Sequence, residues 1–167
     1  MAWNSSLKRK TPLKSNGGIK PSERKEKSVK PKKRQRTSLM THLDIVFSQY
    51  IRLRDAMEGG MTRCISCGRV LPFAQMQCGH FFGRVNLSTR WDEDNCHSEC
   101  ALDNCSNPNH LDGYKKNLIV KIGEERYEAL CSRARETRKW SGEELRELIK
   151  YYTMEIKKLS KEKGIRI

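Results

Sequence analysis

Residues 77–105 read "QCGHFFGRVNLSTRWDEDNCHSECALDNC", four cysteines and two histidines in twenty-nine positions, and "CISC" at 64–67 lies just upstream. Side chains of this kind at this density hold a metal for structure, act on a substrate, or do both. Zinc takes four thiolate or imidazole ligands in a tetrahedron, and proteins supply them as two close pairs. Cys64-x2-Cys67 is one pair. Cys100 opens the second, but the residue three beyond it is Asp103, and Cys105 is five beyond. The expected zinc set is therefore Cys64, Cys67, Cys100 and Cys105, with Asp103 as the alternative fourth ligand and Cys96 behind it. The competing reading is buried free thiols, since cysteine is among the most buried residue types. The polar, glycine-containing setting of "CISCGR" argues against that. Cys78 and Cys131 stand outside the pairs and read as structural.

Around this stretch the chain has 167 residues, 36% hydrophobic and 32% charged, which suits one domain with a modest core. It contains no run of eighteen apolar residues, so no membrane span is expected, and the N-terminus has no apolar signal region. A cytoplasmic protein with reduced thiols is the expectation, and there paired cysteines read as metal ligands before disulfides. The net charge is +14, concentrated in residues 1–37, where thirteen Lys/Arg face only Glu23 and Glu26. Such a cluster points to a polyanion, and nucleic acid is the natural one. A solvated tail that only aids solubility is the plainer alternative.

Residues 1–37 hold three of the five prolines and no hydrophobic period, which predicts a disordered basic tail. Residues 38–167 are expected to fold. Leu39, Leu43, Val46, Phe47, Tyr50, Leu53 and Met57 recur at helical spacing before Gly59-Gly60, predicting a helix over 38–60. Residues 61–110 form the cysteine-rich core, with "CISCG" as a knuckle and one strand in "FAQMQCGHF". "STRWDEDN" reads as a second strand or a loop, and a short helix is expected from His97 to Asn104. Residues 111–167 are helical, and Ser141 with Glu144 forms a capping box for the last helix, which Gly164 ends. The fold class is α+β, mostly α.

His80 ends the expected strand, Asn95 follows fifteen residues later and Asn104 nine after that. This series, interleaved with zinc-type cysteines, looks like the HNH, or His-Me finger, nuclease pattern. "FSQYIRLRDA", "CISCG", "GHF", "RWDEDNCHSEC" and "YKKNLIVKIGEE", in this order and over roughly residues 40–130, resemble the phage NinG (Rap) recombination-nuclease family. The resemblance implies a small zinc-stabilised ββα-metal core between an N-terminal helix and C-terminal helices. It also implies metal-dependent hydrolysis of branched double-stranded DNA, such as Holliday junctions or D-loops, in a bacterial host cell, with phage or prophage origin. Two departures stand out. "CALDNC" replaces the family's Cys-x2-Cys-Asn, placing Asp103 on the missing cysteine and Asn104 on the asparagine. Gly79 also stands where many HNH nucleases carry a metal ligand.

Under this reading His80 is the general base, because neutral imidazole accepts a proton from water near pH 7. Asn95 orients the loop and the imidazole. Asn104 ligates one Mg²⁺ or Mn²⁺, with His97, His110 or water completing the coordination sphere. Arg84 and Arg90 are expected on the phosphates flanking the cut, with Arg52 and Arg54 from the helix and Lys32, Lys33, Arg34 and Arg36 from the tail. Ordinary surface charge is the alternative for each. A homodimer would suit junction resolution. The competing function is a zinc-containing DNA-binding module without catalysis, which explains the cysteines and the charge but not the His80, Asn95, Asn104 spacing.

Overall fold

The computed structural model describes residues 31–167, with side chains from Arg36 onward. Residues 1–30, and with them most of the basic tail expected over 1–37, lie outside the described residues. The remainder of that tail is helical. Helix α1 runs Pro31–Arg54 rather than over 38–60. Proline suits the first helical position, and the sequence before Leu39 has no apolar period by which these turns would be found. At the other end the chain leaves the helix after Arg54, and Gly59 and Gly60 turn it at φ 79° and 74°.

Two short hairpins follow. Strand β1 (Met61–Arg63) pairs antiparallel with β2 (Val70–Pro72), and the cysteine knuckle is the turn between them. Strand β3 (Met76–His80) pairs antiparallel with β4 (Cys96–Cys100), setting His80 opposite Cys96 and Gly79 opposite His97. His97 is thus in a strand, and residues 88–95 form turns of the connecting loop. The short helix expected from His97 begins instead at Ala101, as α2 (Ala101–Ser106). Helices α3 (His110–Ile122), α4 (Glu124–Arg133) and α5 (Gly142–Lys163) complete the chain. Among the described residues no helix is long and apolar enough to cross a membrane.

The β3–β4 hairpin is covered on both faces. On one, Cys78 and Cys96 join the main core with Leu43, Phe47, Tyr50 and Ile51 of α1 and Leu145, Tyr152 and Ile156 of α5. Phe47 meets Tyr152 edge-on at 4.9 Å. On the other face Tyr114 of α3 is fully buried and its hydroxyl donates to the carbonyls of Gly79 and Asn95, both at 3.1 Å. Leu118 and Leu130 pack behind it. The capping box forms: Glu144 N–H donates to Ser141 Oγ at 3.1 Å, and Ser141 N–H to Glu144 Oε2 at 2.7 Å. At the far end of α5, Lys163 Nζ donates to the last carbonyls of α1, Leu53 at 3.0 Å and Arg54 at 2.8 Å, and to Ala56. A cation at a helix C-terminus satisfies orphan carbonyls and complements the dipole. The C-terminal ends of the first and last helices are thereby locked together.

Candidate functional site

The knuckle, the end of β4 and the first turn of α2 bring Cys64, Cys67, Cys100 and Asp103 together, with one ligand atom of each within 4.8 Å of the others. Asp103 Oδ2 accepts from Cys64 Sγ at 3.3 Å and Cys100 Sγ at 3.1 Å, and Cys67 Sγ lies 3.9 Å from Cys100 Sγ. Zinc–sulfur bonds of about 2.3 Å at tetrahedral angles put ligand atoms about 3.7 Å apart. The donor set fits a structural zinc ion. Cys100 precedes α2, so Asp103 sits three residues on, along the same helix face, and faces the knuckle. Cys105 does not join. It is exposed, and its thiol meets Gln77 Oε1 at 3.4 Å. The fourth position falls to Asp103, and Cys96 lies in the main core.

The local electrostatics suit a bound cation. Asn107 Nδ2 donates to Asp103 Oδ1 at 2.9 Å, and this bond, with the thiols, holds the carboxyl well below the usual carboxylate range. Burial pushes the Cys64, Cys67 and Cys100 thiols up. Uncompensated thiolates would be costly there, and a divalent ion removes that cost. The Cys100 backbone N–H also donates to Cys64 Sγ at 3.3 Å.

On the other side of α2 lies a cleft of about 420 Å³ lined by Gln77, Cys78, His80, Gly83, Arg84, Asn104 and Cys105. It brings His80 at the end of β3 and Asn104 of α2 to one surface. His80 Nε2 is 3.1 Å from the Arg90 carbonyl and Nδ1 is 3.2 Å from the Cys78 carbonyl. A neutral ring has one N–H and can donate to only one of them, leaving the other nitrogen a lone pair. Burial, with the Arg84 charge second, lowers its pKa to about 4. The ring is therefore neutral through the physiological range. Asn104 Nδ2 donates to Gln77 Oε1.

Asn95 is fully buried and clasps the loop between the strands. Its Oδ1 accepts from Phe82 N–H at 2.7 Å, and its Nδ2 donates to the carbonyls of Phe82 and Thr89, both at 2.9 Å. His97 and His110 do not line the cleft. Arg54 Nη2 donates to His97 Nδ1 at 2.9 Å, Asp55 stands 3.6 Å from that nitrogen, and His97 Nε2 faces the Asp94 carbonyl at 3.2 Å. His110 Nδ1 pairs with the buried Glu99 at 2.7 Å. Glu99 also explains Gly79, because a Cβ at position 79 would strike its carboxylate. A metal ligand has no room there.

The arginines divide. Arg84 is exposed, lines the His80 cleft, and borders with Arg52, Ser48 and Asp44 a second concavity of about 270 Å³. Arg90 is committed: it grips Asp44 with two bonds, at 2.6 and 3.0 Å, while Trp91 Nε1 donates to the same carboxylate at 2.9 Å. Arg54 is equally committed, to Asp55, the Glu93 carbonyl and the Cys96 carbonyl. Both tie α1 to the loop and hairpin, and neither is offered to a phosphate. Arg36 is exposed, and the side chains of Lys32, Lys33 and Arg34 lie outside the description. Asp44 and Gln77 are the residues that sequence reasoning missed. Both act across long separations, and neither carries a local motif.

A family model described as "Bacteriophage Lambda NinG protein" matches residues 4–162. The chain is 34% identical over 99 residues to "Protein ninG" of Escherichia phage 933W and to that of Enterobacteria phage VT2-Sa, covering 58% of this chain and 47% of each relative. To the protein of the same name from Escherichia phage lambda it is 32% identical over the same span. The match spans about half the length of these curated relatives. No solved structure matches.

Proposed function

We propose, from the premise that this chain belongs to the NinG family, that it is a metal-dependent endonuclease of the HNH type acting on branched recombination intermediates of DNA. One observation carries the reading: His80 and Asn104, from β3 and α2, line a single cleft with the exposed Arg84. The zinc-type cluster supports it by pinning the helix that carries Asn104, and Asn95 by pinning the loop that passes over His80.

In this scheme neutral His80 takes a proton from the attacking water on the ring nitrogen not donated to a carbonyl. Its low proton affinity keeps that nitrogen available, though it weakens the base. Arg84 and Arg52 hold phosphates on either side of the cut by charge-assisted hydrogen bonds. Asn104, turned outward and steadied by Gln77, offers its amide oxygen as a hard-cation donor. Mg²⁺ or Mn²⁺ bound there would stabilise the leaving oxygen. No carboxylate lines the cleft among the described residues, so such an ion would be held chiefly by the substrate phosphate and water, as Mg²⁺ commonly is.

That missing carboxylate favours the second reading, a zinc-containing DNA-binding module without catalysis. Incubating the full chain with linear, forked and four-way DNA, with Mg²⁺, Mn²⁺ or EDTA, separates the two. Metal-dependent cleavage of the branched substrates that disappears in His80→Ala supports the nuclease. Binding without cleavage by the wild-type chain supports the module.

A further inference from the structure

Two buried thiols adjoin the cleft histidine, and neither the zinc-type cluster nor the proposed chemistry uses them. Cys78 precedes His80 by two residues on β3, so both side chains leave the same face, and Cys96 stands directly across the ladder from His80. One ligand atom from each of Cys78, His80 and Cys96 lies within 4.8 Å of the others. A tetrahedral zinc site needs about 3.7 Å, so a closure of about 1 Å suffices. Cys96 is fully buried and Cys78 only 2% exposed, yet Cys78 and His80 both line the open cleft, which gives an ion a way in.

Free cysteines in a core are ordinary. Two that converge on an imidazole at the mouth of a cleft make a soft-metal donor set. We propose that Cys78, His80 and Cys96 form a second metal site, selective for a thiophilic divalent ion such as Zn²⁺ or Cd²⁺. On binding, two thiol protons leave to solvent, two sulfur–metal bonds and one nitrogen–metal bond form, and a cleft water takes the fourth place. No electron is transferred. Two thiolates and one divalent ion sum to zero, so no net charge is left in the interior. Mg²⁺, which demands oxygen ligands, does not compete for this site. One consequence rests on the proposed function: an imidazole bonded to zinc cannot accept a proton, so zinc beyond the structural ion switches cleavage off while Mg²⁺ sustains it.

The test is metal content. Full-length protein is equilibrated with excess Zn²⁺ near neutral pH, desalted and counted by elemental analysis, with Co²⁺ replacing Zn²⁺ for its thiolate charge-transfer absorption. Two ions per wild-type chain are expected, and one in the Cys78→Ala/Cys96→Ala double variant. One ion in the wild type, or two that persist in the double variant, overturns the proposal. Should the double variant fail to fold by circular dichroism, His80→Gln decides: the second ion must bind at least about ten-fold more weakly, and unchanged binding is fatal. Cleavage is read separately, as each protein's rate in Mg²⁺ with and without added Zn²⁺. A chain that binds two ions but never cuts keeps the site and loses the nuclease. A chain that cuts and binds one ion does the reverse.

Discussion

Asp103 and Asn104 are neighbours in α2 whose side chains part to different sides of the helix. The Asp103 carboxylate lies 3.1 Å from Cys100 Sγ, inside the thiol cluster, whereas the Asn104 amide donates to Gln77 on the His80 cleft. Helical geometry turns consecutive residues about 100° apart, and here one turn of helix joins the thiol cluster to the His80 cleft. Whatever holds Asp103 in place also sets where Asn104 points.

Zinc binding by this cluster is accordingly expected to be sensitive to Asn107, which holds Asp103 by a bond of 2.9 Å. Partners of metal ligands typically contribute about 10- to 100-fold in metal affinity. Asn107→Ala should weaken zinc by that amount in a competitive chelator titration, while Asp103→Cys should retain the ion. Zinc affinity unaltered in Asn107→Ala would mean that Asp103 is not a ligand.

The proposed base predicts a pH profile. His80 has its pKa lowered to about 4, first by burial and then by Arg84. A group that resists protonation when folded stays a competent base below the ordinary imidazole value, so kcat/KM in Mg²⁺ should hold through pH 6 and fall only near pH 4. Removing the like charge in Arg84→Ala should move that limb upward. The same sign applies to stability, because the unfolded chain takes up this proton first: His80 disfavours the folded state as pH drops below about 6.5. A wild-type limb at 6.5 would discard either the assignment or the burial.

Salt dependence should sort the arginines. Each phosphate contact contributes roughly one counterion to the slope of log K against log salt. Arg84→Ala and Arg52→Ala should each lower the slope by about 1. Arg90→Ala should leave the slope alone and reduce stability instead, because Asp44 would lose its two-bond partner.

Asp44→Ala should destabilise by about 1–3 kcal/mol, since it strips partners from both Arg90 and the Trp91 indole. Denaturant unfolding measures it. A change under about 0.5 kcal/mol, the usual size for surface substitutions, would mean that the pair is solvated and dispensable.

Removing residues 1–30, which leaves α1 whole, should weaken DNA binding and flatten its salt response, because nine lysines and arginines carry the charge there. An unchanged slope in a filter-binding series would mean that this segment does not touch DNA.

Much of this architecture could be read from the residues. The apolar stripe from Leu39 to Leu53, the box of Ser141 with Glu144 and the stop at Gly164 each carry a local signature. Strand β4 does not. All five of its residues are buried, because helices cover both faces, so no alternation marks it. The choice between Asp103 and Cys105 was equally hidden. Composition favours sulfur, but only once Ala101 is known to start a helix does the third residue after Cys100 face the knuckle and the fifth turn away. Charge alone gave no way to separate Arg90 from Arg84, since Asp44 lies 46 residues before its partner.

The clasp of Lys163 on Leu53 and Arg54 bridges separations of 110 and 109 residues. A chain emerging from the ribosome therefore holds α1 with bare terminal carbonyls and half a core until α5 arrives. Contacts this distant form late and slowly. During synthesis the thiol-rich middle waits for a helix made some forty residues after it.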